Sequence, residues 1–248
     1  AFALPRILAD FVSDESRDLP WAINRMIILR RAAYAMLIAA LNPAQAGEIF
    51  TKFPTDIDAD ASYVIYSHGL IVEGENPTPV HPDWGMYDFP GVKTALAAGG
   101  NFHLVAHHRP RNTEVGPYVV QLQSWVRRLV LEGVKPERIT LIGFSRGGEF
   151  TALAASELRP LPINTVLLAT CWDHGVQDEP GIKLAGRFLS IFETTDVALT
   201  CEKLAHRSDQ LTKFKEVAIT TNDEHGAFFR PRAEWIDPLL SWLRDVSD

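Results

Sequence analysis

The sequence predicts an α/β protein, a single domain with a mostly parallel central sheet and helices on both faces. Segments rich in β-branched and aromatic residues alternate along the chain with segments of helical periodicity. The strand-like segments are nearly continuous apolar runs, which is typical of strands buried on both faces of a parallel sheet. A chain of 248 residues, 46% of them hydrophobic, is long enough to bury one large core.

Six segments predict strands because each is a short apolar run followed by glycine, histidine or polar residues. In chain order they span residues 62–67, 101–107, 138–144, 164–170, 188–192 and 216–220. Three segments predict helices. Residues 118–131 carry apolar side chains at the spacing of one helical face, residues 147–158 are rich in alanine, and residues 234–244 are amphipathic. Pro238 falls inside the last helix, and we expect it to kink this helix or to split off its first turn.

Composition and charge exclude several classes of function. The formal net charge is −7 and there is no long basic run, which argues against nucleic acid as a partner. No apolar run approaches the roughly 20 residues that span a bilayer. The metal-binding patterns His-Glu-x-x-His and Cys-x-x-Cys are absent from the sequence, so we expect no metal and no cofactor.

The N-terminal region has the pattern of a secretory signal peptide. Arg30 and Arg31 precede an uncharged stretch over residues 32–41, and Ala-Gln-Ala at residues 44–46 places small residues at a cleavage site. The alternative is an ordinary amphipathic helix packed on the core. We expect an exported protein, periplasmic or secreted, with no stable membrane anchor after cleavage. Its organisation would be an upstream extension over residues 1–25, a signal peptide over residues 26–46 and one domain over residues 47–248.

Ser145 lies where the third predicted strand turns directly into a helix. Gly143 and Gly147 flank it in a Gly-x-Ser-x-Gly pattern, and they supply the room that a sharp strand-to-helix turn needs. Such a turn holds the hydroxyl above the sheet at a helix N-terminus, where unpaired backbone N–H groups favour developing negative charge. The alternative is a serine that only caps the helix. The strand before Ser145 and the helix after it favour a nucleophile.

A nucleophilic serine needs a histidine base and a carboxylate that orients it. A nucleophile turn of the Gly-x-Ser-x-Gly type predicts that they follow in the chain order Ser, acid, His. Asp196 follows the fifth predicted strand and His225 follows the sixth, so both reach the edge of the sheet where Ser145 lies. Glu193 is the reserve candidate for the acid, and Asp173 is a weaker third. We expect the backbone N–H groups of Leu70 and Arg146 to form the oxyanion hole, with His68 supporting the first of these loops. His225 is preferred because it follows the acid in a loop beyond the last strand, unlike the other histidines, which are His68, His81, His103, His107, His108, His174 and His206.

These motifs together resemble the α/β-hydrolase superfamily over roughly residues 60–245. More narrowly, the segments SHGLIVEGENP, HHRPRNTEV and LLATCWD, with a second cysteine after the acid, are similar to small exported α/β-hydrolases that lack an assigned substrate. The resemblance implies an α/β-hydrolase fold and serine hydrolysis through an acyl-enzyme. It does not imply which ester is cleaved, because the fold hosts many chemistries. Arg146 departs from the family pattern, in which this position is often uncharged or carries histidine.

The loops suggest a minimal cap and an open pocket. Only 17 residues separate the predicted strands at 164–170 and 188–192, so there is little room for a helical lid. Trp84 and Tyr87, in the long irregular segment 71–89, are candidates to line the pocket or to anchor that segment on the core. Trp172 and Phe228 complete the candidate pocket residues.

Two further features of the sequence have structural and functional interpretations. In an exported protein the pair Cys171 and Cys201 favours a disulfide, whereas in a cytosolic protein they would be unrelated buried thiols. A basic cluster near Arg146 could attract an anionic substrate, but it more often pairs with nearby acids such as Glu73 or Glu114 and fixes loops. The cluster consists of His107, His108, Arg109 and Arg111.

We therefore expect a serine hydrolase that acts on a small-molecule carboxylic ester. A peptidase or amidase of the same fold uses the same residues and remains an alternative. A non-catalytic binding module on a hydrolase scaffold is the alternative from another class. The presence of a serine, an acid and a histidine in order argues against it.

Overall fold

A computed structural model describes residues 47–245 of the chain. The predicted upstream extension and signal peptide lie outside the described residues. Between residues 47 and 245, no helix is long and apolar enough to cross a membrane.

The core of the fold is a seven-stranded sheet in which every neighbouring pair is parallel. The strands of the protein are β1 (Ile49–Phe50), β2 (Tyr63–Ser67), β3 (Val80–His81), β4 (Gly85–Met86), β5 (His103–Val105), β6 (Ile139–Phe144), β7 (Asn164–Leu168), β8 (Ala185–Glu193) and β9 (Gln210–Ile219). The order in the seven-stranded sheet is β1-β5-β2-β6-β7-β8-β9, and a separate antiparallel hairpin is formed by β3 and β4. Since all seven strands of the sheet point the same way, their carboxyl ends share one edge.

Helices cover both faces of this sheet, as the sequence predicts. They are α1 (Phe89–Ala98), α2 (Val115–Leu131), α3 (Arg146–Glu157), α4 (Glu202–Arg207) and α5 (Ala233–Arg244), with short 3-10 helices at Leu70–Val72, Pro136–Arg138 and Glu224–Phe228. Along β2 the side chains alternate between two apolar cores: Val64 and Tyr66 pack with α1 and α5, whereas Tyr63 and Ile65 pack with α2, α3 and α4. This double burial explains the continuous apolar strands.

Some elements differ from the sequence-based expectation. The hairpin of β3 and β4 and the helix α1 were not predicted, and β8 and β9 are longer than their apolar centres. Helix α1 does have a local start signal, because the Asp88 carboxylate accepts a hydrogen bond from the Gly91 N–H at 2.9 Å and Pro90 lies in the first turn.

Of the two effects expected of Pro238, a kink or a separated first turn, the second is wrong. Helix α5 is continuous through Pro238. Proline removes one backbone hydrogen bond, and the buried side chains of Trp235, Leu239 and Trp242 hold both halves of the helix on the core.

The segment between β7 and β8 confirms the expectation of a minimal cap. Residues 169–184 contain turns and bends but no helix. The edge of the sheet near Ser145 is therefore not covered by a helical insertion from this segment.

Candidate active site

Ser145 occupies a sharp turn between β6 and α3. Its backbone has φ 54° and ψ −122°, a strained conformation for a residue with a side chain. The flanking glycines are required by close contacts. A Cβ at Gly147 would clash with the Ser67 carbonyl oxygen of β2, and one at Gly143 would clash with the Gly147 carbonyl oxygen. The turn therefore has the geometry of a nucleophile elbow.

Asp196 and His225 meet at the same edge of the sheet. The Nδ1 atom of His225 lies 2.7 Å from Oδ2 of Asp196, and the Asp196 side chain is almost completely buried. The other carboxylate oxygen accepts the N–H of Val197 at 2.7 Å. Because a carboxylate only accepts, Nδ1 carries the proton and Nε2 of neutral His225 keeps a lone pair.

Neither of the two reserve acids, among the described residues, hydrogen-bonds the His225 ring. Glu193 is buried, but its carboxylate is occupied by hydrogen bonds from the loops around it, described below. Asp173 is exposed. Among the described residues, Asp196 is the carboxylate that contacts the His225 ring.

Ser145 and His225 line one cavity of about 460 Å³. No hydrogen bond joins the serine hydroxyl to the imidazole within residues 47–245, and in hydrolases this contact often tightens only when substrate is bound. The His225 ring packs between Phe144, at 4.8 Å between ring centroids, and Trp84, at 5.4 Å. The lining is almost entirely apolar or aromatic and consists of Gly69, Leu70, Ile71, His81, Trp84, Phe144, Ser145, His225 and Phe229.

The two backbone N–H groups predicted for the oxyanion hole belong to Leu70 and Arg146, which lie near Ser145. Leu70 is the first residue of a 3-10 helix and Arg146 is the first residue of α3, positions whose N–H groups have no partner inside their helix. Neither group finds another acceptor in the described part of the chain. A side chain at Gly69 would come within 3.7 Å of the Ser145 Cβ, so this loop lies directly against the elbow.

The side chain of His68 holds the peptide unit that carries the Leu70 N–H. Its Nε2 accepts the backbone N–H of Arg109 at 2.9 Å, so its Nδ1 carries the proton and donates to the Gly69 carbonyl oxygen at 2.8 Å. Burial, with the nearby Arg109 charge, lowers the pKa of His68 well below its ordinary value of 6.5. His68 therefore supports this loop as a neutral side chain.

One member of the basic cluster, Arg109, pairs with a buried acid, and so does the neighbouring Arg146. Glu73 Oε1 lies 3.4 Å from Nε of the fully buried Arg109 and 3.6 Å from Nε of Arg146. Arg146 also donates to the Thr113 carbonyl oxygen at 3.1 Å. The guanidinium groups thus fix loops, while Arg111 is exposed.

The structure places the four predicted pocket residues in different environments. Trp84 lines the cavity that contains Ser145. Tyr87 and Phe228 are buried in the apolar core instead, and the Tyr87 hydroxyl hydrogen-bonds the Tyr66 hydroxyl at 2.8 Å. Trp172 lines a separate cavity of about 320 Å³.

Four further residues of the cavity lining were not identified as pocket residues from the sequence, namely Ile71, His81, Phe144 and Phe229. His81 is stacked on Trp84 with ring centroids 4.1 Å apart, because the hairpin of β3 and β4 brings both to the cavity. The sequence indicates only weakly that Phe144 and Phe229 line the cavity. Phe144 lies inside the Gly-x-Ser-x-Gly pattern, and Phe229 is next to the predicted pocket residue Phe228. Which of two adjacent phenylalanines faces the cavity depends on the turn of the 3-10 helix.

Cys171 and Cys201 form the predicted disulfide, with Cα atoms 5.3 Å apart. It ties the loop after β7 to the loop that carries Asp196. Within residues 47–245, no cluster of three or more His, Cys, Asp or Glu side chains is arranged to hold a metal ion.

Comparison with solved structures identifies the class of the fold. The chain resembles EstE7, a hormone-sensitive lipase homologue from a metagenome library, with a TM-score of 0.58 and 14% identity over 88% of this chain and 93% of that chain. An esterase of the bacterial hormone-sensitive lipase family gives a TM-score of 0.58 and 17% identity over 88% and 91% of the two chains. A fungal esterase from Rhizomucor miehei gives a TM-score of 0.55 and 14% identity over 92% of this chain and 93% of that chain. The chain therefore has the α/β-hydrolase fold.

Comparisons by sequence add no closer relative. No protein-family model and no curated protein matches the chain.

Proposed function

We propose that the protein is a serine hydrolase that cleaves carboxylic esters through an acyl-enzyme. The observation that carries this proposal is the Asp196–His225 hydrogen bond at a cavity that also contains Ser145 on a strained elbow. The esterases that share the fold support it.

In the proposed reaction the Ser145 hydroxyl attacks the ester carbonyl carbon while its proton passes to Nε2 of His225. Asp196 orients the imidazole and stabilises its cation. The N–H groups of Leu70 and Arg146 bind the oxyanion of the tetrahedral intermediate. This intermediate expels the alcohol, which takes the proton from Nε2. Water then attacks the acyl-enzyme, gives one proton to Nε2, and the acid leaves as the serine hydroxyl is restored.

The cavity favours a small, uncharged substrate. Among residues 47–245, its lining contains no carboxylate, ammonium or guanidinium group, and Arg146 is directed to Glu73 and Thr113. We therefore expect uncharged apolar esters to be preferred over esters that carry a carboxylate or phosphate. If Arg146 binds an anion instead, Arg146→Ala would selectively lower activity on anionic esters.

The test combines covalent labelling with hydrolysis. A fluorophosphonate probe should label the folded protein at Ser145, and p-nitrophenyl esters of graded chain length should be hydrolysed. Ser145→Ala should lower kcat by a factor on the order of 10⁶, as removal of a serine nucleophile does. The exposed Ser124→Ala is the matched control and should leave activity unchanged.

The same test separates the alternatives. Faster cleavage of amide analogues than of esters would indicate a peptidase or amidase. Absence of labelling together with absence of hydrolysis would indicate a binding module.

We also propose that the protein is exported and that its mature chain begins near Gly47. The Cys171–Cys201 disulfide supports this, because such bonds persist in oxidising compartments. N-terminal sequencing of the protein recovered from a periplasmic or culture fraction tests the proposal. An intact N-terminus in the cytosolic fraction would contradict it.

A further inference from the structure

Glu193 is a buried carboxylate that the proposed reaction does not use. It is the last residue of β8, where it pairs in register with Ile219 at the end of β9. Its exposed fraction is 0%. Beyond this point the two strands continue into the loops that carry Asp196 and His225.

The Glu193 carboxylate makes four hydrogen bonds, two to each loop. Oε2 accepts the backbone N–H of Thr195 at 2.6 Å and also its hydroxyl. Oε1 accepts the backbone N–H groups of Thr221 at 2.8 Å and Asn222 at 3.1 Å. Thr195 precedes Asp196 directly, and Asn222 lies three residues before His225.

These bonds keep the carboxylate ionised. Burial raises the pKa of Glu193, but the hydrogen bonds from Thr195, Thr221 and Asn222 outweigh burial, and the pKa lies below its ordinary value. At neutral pH the side chain is therefore a permanent acceptor for both loops, a role that a neutral amide side chain cannot fill completely.

We infer that Glu193 is a positioning residue that holds the Asp196 loop and the His225 loop at the separation where their side chains hydrogen-bond. This inference rests on the proposed roles of Asp196 and His225. Two further links join the chain near this point: the Thr194 N–H donates to the Ile219 carbonyl oxygen at 2.9 Å, and the exposed hydroxyls of Thr194 and Thr220 lie 3.0 Å apart. Neither of these links reaches Asp196 or the residues next to His225. Displacement of a catalytic group by about 1 Å can lower the rate by about a hundredfold.

The inference is distinguished from a general structural role by a double-mutant cycle. Glu193→Gln should lower kcat by roughly tenfold to a hundredfold with KM within about twofold of wild type. In an Asp196→Ala background, the same change should lower kcat by no more than about twofold, because the contact that it positions is already lost. Thr220→Val, which removes a hydrogen bond between the same two strand ends, is the matched control and should stay near wild type.

A milder variant serves if Glu193→Gln does not fold. Thr195→Val removes only the hydroxyl donor, and it should lower kcat a few-fold in the wild-type background and not in the Asp196→Ala background. Equal losses in the two backgrounds, or no loss in either, would overturn the inference.

A spectroscopic measurement does not depend on turnover. The far-downfield proton resonance of the His225 Nδ1–H should vanish in Asp196→Ala, weaken in Glu193→Gln and persist in Thr220→Val. An unchanged resonance in Glu193→Gln would overturn the inference even if no ester were cleaved. Full hydrolytic activity of Ser145→Ala would instead refute the proposed function and leave the resonance test of Glu193 standing.

Discussion

Two buried glutamates at the same edge of the sheet join loops in different ways. Glu73 contacts the guanidinium groups of Arg109 and Arg146 at 3.4 and 3.6 Å, so it links the loop after β2 to the elbow by charge. Glu193 links the Asp196 and His225 loops through shorter hydrogen bonds from neutral donors.

The difference has an energetic consequence. Loss of the Glu73 charge leaves two cations without their counter-ion, one of them the fully buried Arg109. Glu193 has no ion-pair partner in the described part of the chain, so loss of its charge leaves no opposite charge unpaired there and mainly frees two loops. We call Glu73 with Arg109 and Arg146 the first region, and Glu193 with the Asp196 and His225 loops the second region. We expect the first region to control stability and the second region to control the alignment of the proposed catalytic groups.

The largest expected effect is on the Glu73 region. Glu73→Gln should lower the free energy of unfolding by about 3–5 kcal/mol, because it breaks a buried ion pair and leaves the Arg109 charge uncompensated. Urea unfolding followed by circular dichroism measures this change. The exposed Glu114→Gln is the control and should change stability by less than about 0.5 kcal/mol. An equal loss in Glu193→Gln would remove the contrast between the two regions.

The disulfide strengthens the Asp196 side of the second region. Replacement of Cys171 and Cys201 by alanine should lower the free energy of unfolding by about 3–4 kcal/mol, since the bridge closes a loop with a sequence separation of 30. Comparison of the double variant with wild type in the absence of reductant measures the loss. Identical stability would show that the bridge does not restrict the unfolded chain.

The first region should also make the protein sensitive to mild acid. Burial, with the Arg109 charge, lowers the pKa of His68 and of His107, so below the ordinary value of 6.5 the unfolded chain binds protons that the folded chain does not. Stability should therefore fall as the pH drops from 7 to 5, by up to about 1.4 kcal/mol per pH unit for each proton. His68→Asn should reduce the dependence of the unfolding free energy on pH by the share of one proton. An unchanged pH dependence would contradict the lowered pKa of His68.

The smallest expected effect is the pH dependence of the second region. Because the pKa of Glu193 is lowered in the folded protein, its contribution to the free energy of unfolding is complete above the ordinary pKa of 4.5. This contribution is lost as the pH falls through the pKa of the folded state. The difference in unfolding free energy between wild type and Glu193→Gln should be about 1–2 kcal/mol at neutral pH and should shrink below pH 4.5. A difference in unfolding free energy that grows as the pH falls would show that folding does not lower the pKa of Glu193.

Much of the fold could be predicted from the sequence. The strand-to-helix turn at Ser145 is encoded within five residues, because the close backbone contacts at positions 143 and 147 leave no room for a side chain and so require glycine. The positions of Asp196 and His225 after their strands follow from the parallel sheet. Helix α1 was missed despite the Asp88 cap, because its Pro and Gly residues obscure the helical pattern.

The cavity walls could not be predicted in the same way. Tyr87 and Phe228 have the composition of pocket residues, yet they are buried in the core, while Phe229 and His81 line the cavity. The roles of the two buried glutamates were also hidden, because each depends on a distant partner: Thr221 lies 28 residues from Glu193, and Arg109 lies 36 residues from Glu73.

The sequence by itself determined six of the seven strands of the main sheet, the elbow at Ser145 and the edge at which Asp196 and His225 emerge. These features depend on short-range periodicity, glycine sterics and the direction of parallel strands. Only the tertiary structure decided which aromatic residues face the cavity and which loops Glu73 and Glu193 join. Burial and hydrogen bonding of a side chain depend on segments that fold against it from distant parts of the chain.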